Sequence, residues 1–295
     1  MRKFILGTDW WTDCDDAVAV RLLARAVKRG EIELLGVGMN ACMEYSVPSL
    51  DGFMHTEGLR GVPIGLDMEA NDFGGKPPYQ KRLAPLSVEY KRNEDAEDPV
   101  RLYRRLLAAC GEQEAEIIEI GYMQVIAAVL QSGPDDISPL NGVELVREKV
   151  KKLWVMAGKW DDDPGRENNF ARNKRTAVGS EALCRLCPVP MTFLGWEIGY
   201  DVITGGKLAQ DDVLHQVLED HGSSRGRMSW DPMLVALALE GDEARAGYDT
   251  VRGTAKVDAE TGLNTFTEDP AGLHAYVVRK FAPEWYEDKI NGMIE

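Results

Sequence analysis

The chain has 295 residues, of which 44% are hydrophobic, so it can bury the core of one large α/β domain or of two small ones. Its net charge of −15 argues against the basic surface that a nucleic acid or an anionic membrane would need. No stretch has the length of a signal peptide or a membrane span, and the five cysteines are too few for a disulfide framework. We therefore expect a cytoplasmic protein with neither a nucleic-acid nor a membrane partner.

The predicted elements begin with a strand, an acidic turn and a helix. An apolar run from Phe4 leads into four aspartates within eight residues, Asp9, Asp13, Asp15 and Asp16. Immediately after them, apolar side chains recur at spacings of three and four, which predicts a helix. The acidic turn is therefore expected at the carboxyl end of a strand, where open α/β sheets bind their ligands.

Four carboxylates this close repel one another, so either some are protonated or a cation lies among them. Because all the donors are oxygens, that cation would be a hard ion such as calcium or magnesium. The alternative is helix capping, with Asp13 at the N-cap and with Asp15 and Asp16 stabilised by the dipole of the first turn. Capping leaves Asp9 unexplained, and on these residues alone both interpretations stand.

Strands and helices alternate along most of the remaining chain. Further strands are predicted at 32–37, 62–65, 116–121, 153–157 and 191–194, and helices at 45–57, 99–109, 122–131, 143–152, 175–186, 207–220 and 229–239. Long loops are predicted at 66–95 and 158–173, a linker at 222–227, a β-rich segment at 247–280 and a short helical end from residue 284. This order predicts parallel βαβ units, and hence an open, mostly parallel sheet flanked by helices, with a small β-rich C-terminal extension. We expect one α/β domain over residues 1–295, with a Rossmann-type core.

The segment Gly7–Ala17 resembles, without a gap, the opening motif D-T-D-I-G-T-D-I-D-D-A of one branch of the nucleoside hydrolase family, the inosine-uridine-preferring N-ribohydrolases. The resemblance implies that Asp9 and Asp16 bind calcium and that Asp9 is also the general base on the attacking water. It implies that Asp15 binds the ribose hydroxyls.

Two later strand ends extend the resemblance towards the sugar and the metal. Asn40 follows a segment similar to the family's second strand and is implied to face the ribose. The segment Glu119–Gly121 lies where the family offers a backbone carbonyl to the metal, best matched by Ile120.

Three more segments complete the resemblance, which covers most of the chain. Val155–Gly158 is similar to a strand end whose methionine, here Met156, faces the sugar. In 167–170, Glu167 and Asn169 are implied to bind ribose hydroxyls, and in 229–232 Asp231 is implied to complete the calcium shell. Without the resemblance, Asp231 before Pro232 is also a suitable N-cap, and Glu167 and Asn169 are equally well explained as solvated loop residues.

The chain departs from the family at two positions. Gly7 replaces the first aspartate of the opening motif, and Trp230 stands where many members have a histidine linked to protonation of the leaving base. Another branch stacks tryptophans on the base, and we expect Trp11 and Trp230 to contact the substrate. The tryptophans in or near the predicted site loops are Trp10, Trp11, Trp160, Trp196 and Trp230. The residue that would activate the leaving group is unassigned.

The resemblance implies a calcium-dependent hydrolase that cleaves the N-glycosidic bond of a small ribonucleoside or related N-riboside by direct attack of water. It also implies a homodimer or a homotetramer. One alternative is a catalytically weak member of the same fold that binds a riboside without turnover, suggested by Gly7 and Trp230. The other is a metal-dependent phosphohydrolase, because acid clusters at strand ends suit that chemistry too.

Overall fold

A large central sheet organises the computed structural model, which describes residues 1–162 and 165–295. The predicted loop 158–173 therefore includes two residues, 163 and 164, that lie outside the described part of the chain. The strands are β1 (Arg2–Thr8), β2 (Ile32–Met39), β3 (Ile64–Leu66), β4 (Ala115–Glu119), β5 (Val150–Met156), β6 (Met191–Leu194), β7 (Ile203–Thr204), β8 (Arg227–Met228), β9 (Tyr248–Val257), β10 (Asn264–Glu268) and β11 (His274–Arg279).

Nine of these strands form the central sheet, in the order β10-β9-β11-β6-β5-β4-β1-β2-β3. The seven strands from β11 to β3 pair in parallel, and β9 and β10 add two antiparallel pairings at the other edge. The predicted open, mostly parallel sheet is thus confirmed, and the β-rich C-terminal segment extends this same sheet. Strands β7 and β8 form a separate antiparallel pair.

Helices cover both faces of the central sheet. They are α1 (Asp15–Lys28), α2 (Ser46–Thr56), α3 (Gln80–Leu83), α4 (Pro99–Ala108), α5 (Gln124–Gln131), α6 (Gly142–Lys149), α7 (Asn168–Ala171), α8 (Lys174–Leu186), α9 (Trp196–Gly199), α10 (Val213–His221), α11 (Trp230–Glu240), α12 (Glu243–Ala246) and α13 (Pro283–Ile294), with 3₁₀ turns at Ala84–Leu86 and Asn93–Asp95. Among the described residues, no helix has the length and apolar character needed to cross a membrane.

Strand β1 is an interior strand of the sheet, between β4 and β2, and is buried on both faces. Phe4 and Leu6 pack into the core beneath α1 and α11, whereas Ile5 packs into a second core beneath α4, α5 and α8. This alternation follows from the two-residue period of a strand. Each of these fully buried side chains contributes about 1.5–3 kcal/mol by leaving water.

The chain order reverses between β1 and β4. After β1 the chain adds β2 and β3 on one side, then returns to the other side of β1 with β4, β5 and β6. Such a reversal opens a crevice at the carboxyl ends of the two strands, which is the usual ligand site of an open α/β sheet. The acidic turn after β1 therefore lies at the expected place for a binding site.

Several predicted elements differ from the structure. The helix predicted from residue 207 begins only at Val213, because the Asp212 carboxylate caps it by accepting the Leu214 amide at 2.7 Å. The helical end is longer than predicted, since Tyr286 and Ile290 are buried on one face of α13. The predicted linker 222–227 ends in β8, and the predicted loop 66–95 contains α3 and both 3₁₀ turns.

Candidate active site

Four neighbouring strands end at one rim of the sheet and place polar groups there. Asp9 follows β1, Asn40 follows β2 and Ile120 follows β4, while Met156 closes β5. Backbone hydrogen bonds fix these ends, with the Ile120 amide 2.8 Å from the Gly7 carbonyl oxygen and the Asn40 amide 2.9 Å from that of Thr8. The residues that the resemblance assigns to the metal and the sugar therefore lie at the ends of adjacent strands.

The acidic turn is built around Trp10, whose φ of 41° lies in the left-handed region that non-glycine residues seldom adopt. The Trp10 amide donates to Thr8 Oγ1 at 3.1 Å and to Asp16 Oδ1 at 3.2 Å, which holds the turn in this conformation. Helix α1 then begins at Asp15, with Cys14 as its N-cap residue and no side-chain cap. The interpretation of Asp13 as the N-cap is therefore wrong.

Asp231 joins the N-terminal acids although more than 200 residues separate them. The carboxylates of Asp15, Asp16 and Asp231 each place an oxygen within 4.8 Å of the others, and all three side chains are buried. The Asp231 amide also donates to Asp15 Oδ2 at 3.2 Å. Asp231 lies inside the first turn of α11, whose N-cap residue is Ser229, so the interpretation of Asp231 as an N-cap is wrong as well.

Burial and mutual repulsion make these acids unusually basic. Burial, followed by the charges of neighbouring aspartates, raises the pKa of Asp9, Asp15 and Asp231 well above the ordinary value of 3.8. Burial also raises the pKa of Asp16 to about 6, although the Thr8 hydroxyl donates a hydrogen bond to it and opposes the shift. A cation among these carboxylates would remove much of the cost of ionising them.

The donor set fits a hard divalent cation. Calcium–oxygen distances of about 2.3–2.6 Å put ligand oxygens on opposite sides of the ion about 4.6–5.2 Å apart. One carboxylate oxygen each of Asp15, Asp16 and Asp231 lies within 4.8 Å of the others, so the three are close enough to contact one such ion. Asp9 and Ile120 line the same pocket and add further oxygens, so this cluster can bind a metal ion.

Glu167 and Asn169 form a second wall of this pocket. Glu167 caps α7, with Oε1 accepting the Asn169 amide at 2.7 Å and Oε2 accepting the amides of Phe170 and Gly158 at 3.0 and 2.9 Å. Burial raises the pKa of Glu167 to about 7 against these amide hydrogen bonds. Asn169 Nδ2 donates to the Met156 carbonyl oxygen at 2.9 Å. Both side chains are therefore fixed by backbone contacts.

Aromatic rings form the outer wall. Trp196 and Trp230 line the pocket with their ring centroids 6.4 Å apart, and Tyr200 stacks on Trp196 with a centroid distance of 5.2 Å. The Trp230 indole donates to the Trp196 carbonyl oxygen at 2.7 Å. Trp196 is 39% exposed and Tyr200 43%, so this wall lies at the open side of the pocket.

Two residues predicted to bind substrate lie outside the described lining of the pocket. Asn40 is fully buried and its Oδ1 accepts the Tyr122 amide at 2.8 Å. The Trp11 indole donates to the Gly74 carbonyl oxygen at 2.9 Å, and its ring packs against Tyr122 at 6.4 Å. Their contact with a substrate stays a prediction.

Of the other tryptophans, Trp10 and Trp160 are packing residues. Trp10 is fully buried, and its indole donates to Ser49 Oγ at 2.8 Å. Trp160 packs among aromatic rings of the core, with its centroid 5.1 Å from that of Phe193.

The lining also contains residues that the sequence analysis did not assign to the site. Arg227, within the predicted linker, donates to both carboxylate oxygens of Asp13 at 2.8 and 2.6 Å. Burial alone would raise the pKa of Asp13, but these hydrogen bonds and the guanidinium charge hold it below its ordinary value. Asn168 lines the pocket next to Asn169. In the sequence, the position of Arg227 two residues before Ser229 is an indication that this cationic side chain belongs to the site.

Comparisons with known proteins find similarity in structure and not in sequence, since no family model and no curated protein matches the chain. A plant nucleoside hydrolase superposes with a TM-score of 0.73 at 14% identity, over 99% of this chain and 98% of that one. An inosine-uridine preferring nucleoside hydrolase from Bacillus anthracis gives 0.68 at 14% identity, over 100% and 99%. The type III effector protein XopQ, complexed with adenosine diphosphate ribose, gives 0.70 at 16% identity, over 99% and 93%. At these identities the likeness establishes the fold, and the chain has the fold of the nucleoside hydrolases.

Proposed function

We propose that the protein is a calcium-dependent hydrolase that cleaves the N-glycosidic bond of a ribonucleoside, or of a related N-riboside, by direct attack of water. One observation carries the proposal: the buried carboxylates of Asp15, Asp16 and Asp231 meet within 4.8 Å at the rim of the sheet. Asp9 and Ile120 line the same pocket. The shared fold with solved nucleoside hydrolases supports it.

The residues that would hold calcium are Asp9, Asp16 and Asp231, together with the carbonyl oxygen of Ile120. When bound, calcium lowers the pKa of a coordinated water and so makes it a better nucleophile. Asp15 lies in the same group, but its Oδ2 already accepts the Asp231 amide. Its Oδ1 remains to accept a hydrogen bond from a ribose hydroxyl.

Asp9 is the proposed general base. Burial and the charges of Asp16 and Asp15 raise its pKa in the metal-free protein, and a bound cation would favour the ionised carboxylate that can accept a proton from water. Departure of the base leaves an oxocarbenium-like ribosyl centre, and the surrounding carboxylates stabilise the positive charge that develops there. Nucleophile activation and charge stabilisation therefore come from one acid cluster.

The sugar would be held between Asp15, Met156, Glu167 and Asn169. The Glu167 carboxylate accepts three backbone amides, and a carboxylate has about four acceptor sites, so one remains for a hydroxyl. Asn169 uses its amide nitrogen on backbone carbonyls, which leaves Oδ1 available to accept a hydroxyl. Because both side chains are fixed beforehand, little entropy is lost in positioning the ribose.

Asn40 and Trp11 would act one layer behind this wall. Both contact Tyr122, Asn40 through a hydrogen bond and Trp11 through ring packing. We propose that they position this segment of the rim, beside Ile120.

The aglycone would stack on the outer wall of Trp230 and Trp196. Flat aromatic rings bury a large area in such contacts and gain from offset stacking. Arg227 lies over Trp230, with its guanidinium carbon 5.6 Å from the ring centroid, and ties this wall to Asp13. The wall therefore favours a flat, aromatic leaving group.

A panel of purine and pyrimidine nucleosides, assayed for reducing sugar with and without a chelator, tests this function. We expect turnover that the chelator abolishes and added calcium restores. Asp9→Asn should lower kcat by at least about 10³-fold with the fold intact. Asp136→Asn, which removes an exposed ion-pair partner of Arg101, is the matched control and should behave as wild type. Chelator-resistant turnover, or full activity in Asp9→Asn, would contradict the proposal.

The panel also separates the two alternatives. Trp230 in place of a histidine is the observation that favours riboside binding without turnover, and calorimetry would then detect binding with no sugar release. A phosphohydrolase would release phosphate from nucleotides. The pocket disfavours that chemistry, because its described lining has a single guanidinium, already paired, against six carboxyl groups: Asp9, Asp13, Asp15, Asp16, Glu167 and Asp231.

A further inference from the structure

Three residues lie side by side just below the rim of the sheet. In the strand register, Gly7 of β1 faces Glu119 of β4 on one side and Gly38 of β2 on the other. Asp9 lies two residues beyond Gly7, and Ile120 directly follows Glu119. This row therefore lies immediately under the proposed metal ligands.

The Glu119 side chain occupies the space that Gly7 leaves open. A Cβ atom at Gly7 would lie 1.8 Å from Glu119 Oε2 and 2.4 Å from Cδ, so the Glu119 carboxyl group would have to move to admit it. At Gly38, a Cβ atom would lie 2.4 Å from Cε2 of Tyr103. The Tyr103 hydroxyl donates to Glu119 Oε1 at 2.9 Å, so the two glycines form a groove that holds this hydrogen-bonded pair.

Packing alone does not explain this arrangement. Glu119 is fully buried, and its Oε2 has no hydrogen-bond partner among the described residues. A buried carboxyl group is costly, and so is a glycine within a strand, because the unfolded chain has more freedom to lose. The buried Glu119 carboxyl group and the glycine opposite it are each unfavourable, yet they fit against one another. This match indicates that the carboxyl group has a role at this place.

We propose that Glu119 supplies, from β4, the carboxyl group that the resembled opening motif carries on β1 at the position of Gly7. This inference rests on the proposed function and makes Glu119 a positioning residue for the metal end of the two strands. A carboxylate at position 7 and the Glu119 carboxyl group would compete for one volume, so the chain keeps one of them and a glycine opposite.

The pair acts through the backbone, because neither Glu119 nor Tyr103 is part of the described pocket lining. The Ile120 amide donates to the Gly7 carbonyl oxygen at 2.8 Å, between the two strands that the Glu119 side chain bridges. Fixing Gly7 against Glu119 therefore fixes Asp9 against the Ile120 carbonyl oxygen. Residues that support metal ligands in this way usually change metal affinity when they are lost.

The test exchanges the carboxyl group between the strands. Calcium binding to chelator-stripped protein is measured by titration calorimetry for wild type, Glu119→Ala, Gly7→Asp and the double variant Gly7→Asp/Glu119→Ala, with thermal unfolding of each. We expect calcium affinity to fall about 10- to 100-fold in each single variant. The double variant should recover to within about threefold of wild type, because the two sites are coupled.

Two further variants keep the result decisive. Glu116→Gln, on the same strand but bonded to Arg2 and Trp154 away from the rim, is the matched control and should keep wild-type calcium affinity. Tyr103→Phe removes the hydrogen bond to Glu119 while keeping the ring, so it reports on the pair even where Glu119→Ala fails to fold; we expect it to weaken calcium binding.

The inference is overturned if Glu119→Ala and Tyr103→Phe bind calcium as tightly as wild type, or if the double variant binds no better than Glu119→Ala. Wild-type protein that binds no calcium at all gives a different pattern. That result removes the proposed function and this inference together.

Discussion

The guanidinium of Arg227 and the carboxylate of Asp13 form a two-point ion pair, at 2.8 and 2.6 Å, between residues 214 positions apart in sequence. Arg227 begins β8, which leads directly into Asp231 at the start of α11, and Asp13 lies between Asp9 and Asp15. The pair therefore ties together the two segments that carry the proposed metal ligands, and it offsets one of the negative charges gathered there.

Loss of this pair should misplace Asp231 relative to the N-terminal acids. For Arg227→Ala we expect kcat/KM to fall about 10- to 100-fold, since small displacements at an active site have effects of this size. The stability loss should be only about 1 kcal/mol, because the pair is partly exposed. Arg227→Lys keeps the charge without the two-point geometry, so its kcat/KM should lie between those of wild type and Arg227→Ala. Unchanged kcat/KM in Arg227→Ala would rule out this role.

Asp231→Asn should separate metal binding from stability. Removing a proposed ligand should weaken calcium binding by at least about 100-fold, as measured by titration calorimetry. In the absence of calcium the same variant should unfold at a higher temperature than wild type at pH 8, because burial and the charge of Asp15 disfavour an ionised carboxylate there. A lower unfolding temperature without calcium would show that Asp231 is stabilising by itself.

The calcium-free protein should lose stability as the pH rises. The pKa of Asp16 is about 6 in the folded chain against an ordinary value of 3.8, so the folded state binds this proton more tightly than the unfolded state. Its contribution is fully present below about pH 4 and is lost as the pH rises through about 6, amounting to about 3 kcal/mol.

Chemical denaturation at pH 4.5 and pH 7.5, for wild type and Asp16→Asn without calcium, measures this effect. Between pH 4.5 and pH 7.5, the free energy of unfolding of wild type should fall relative to that of Asp16→Asn, because the amide does not titrate. Calcium affinity should rise over the same range, since calcium displaces the bound protons. Equal pH profiles for wild type and Asp16→Asn would contradict the environment described for this carboxyl group.

Substitution of Trp230 should affect binding of the aglycone more than binding of the sugar. For Trp230→Ala we expect KM for a nucleoside to rise about 2- to 10-fold, the value of one lost stacking contact, whereas Trp230→Phe should keep most of the affinity. Trp230→His places an ionisable group at the aglycone side and should raise kcat most for substrates with poor leaving groups. Identical kinetics for the three variants and wild type would exclude Trp230 from the aglycone site.

The place of Asp9 and Asp16 at the rim is predictable from sequence, because both follow a strand of a parallel sheet whose carboxyl ends meet at one edge. The approach of Asp231 is not predictable from this topology, because α11 follows β8, which lies outside the central sheet, and only the family resemblance indicates it. The orientation of Trp11 is not predictable in this way. The left-handed backbone at Trp10 breaks the two-residue alternation that would otherwise send one of these neighbours to the rim.

Long-range partners account for the other differences. Arg227 looks like part of a linker because its role depends on a carboxylate 214 residues away. The pairing of Glu119 with Gly7 depends on the register of β4 against β1, which hydrophobic periodicity does not specify.

A crystal structure determined with calcium tests the central claim most directly. We predict one ion at the rim, about 2.3–2.6 Å from carboxylate oxygens of Asp16 and Asp231 and from the carbonyl oxygen of Ile120. Asp16 and Asp231 hydrogen-bonded to one another through a shared proton, with no ion between them at saturating calcium, would contradict the account.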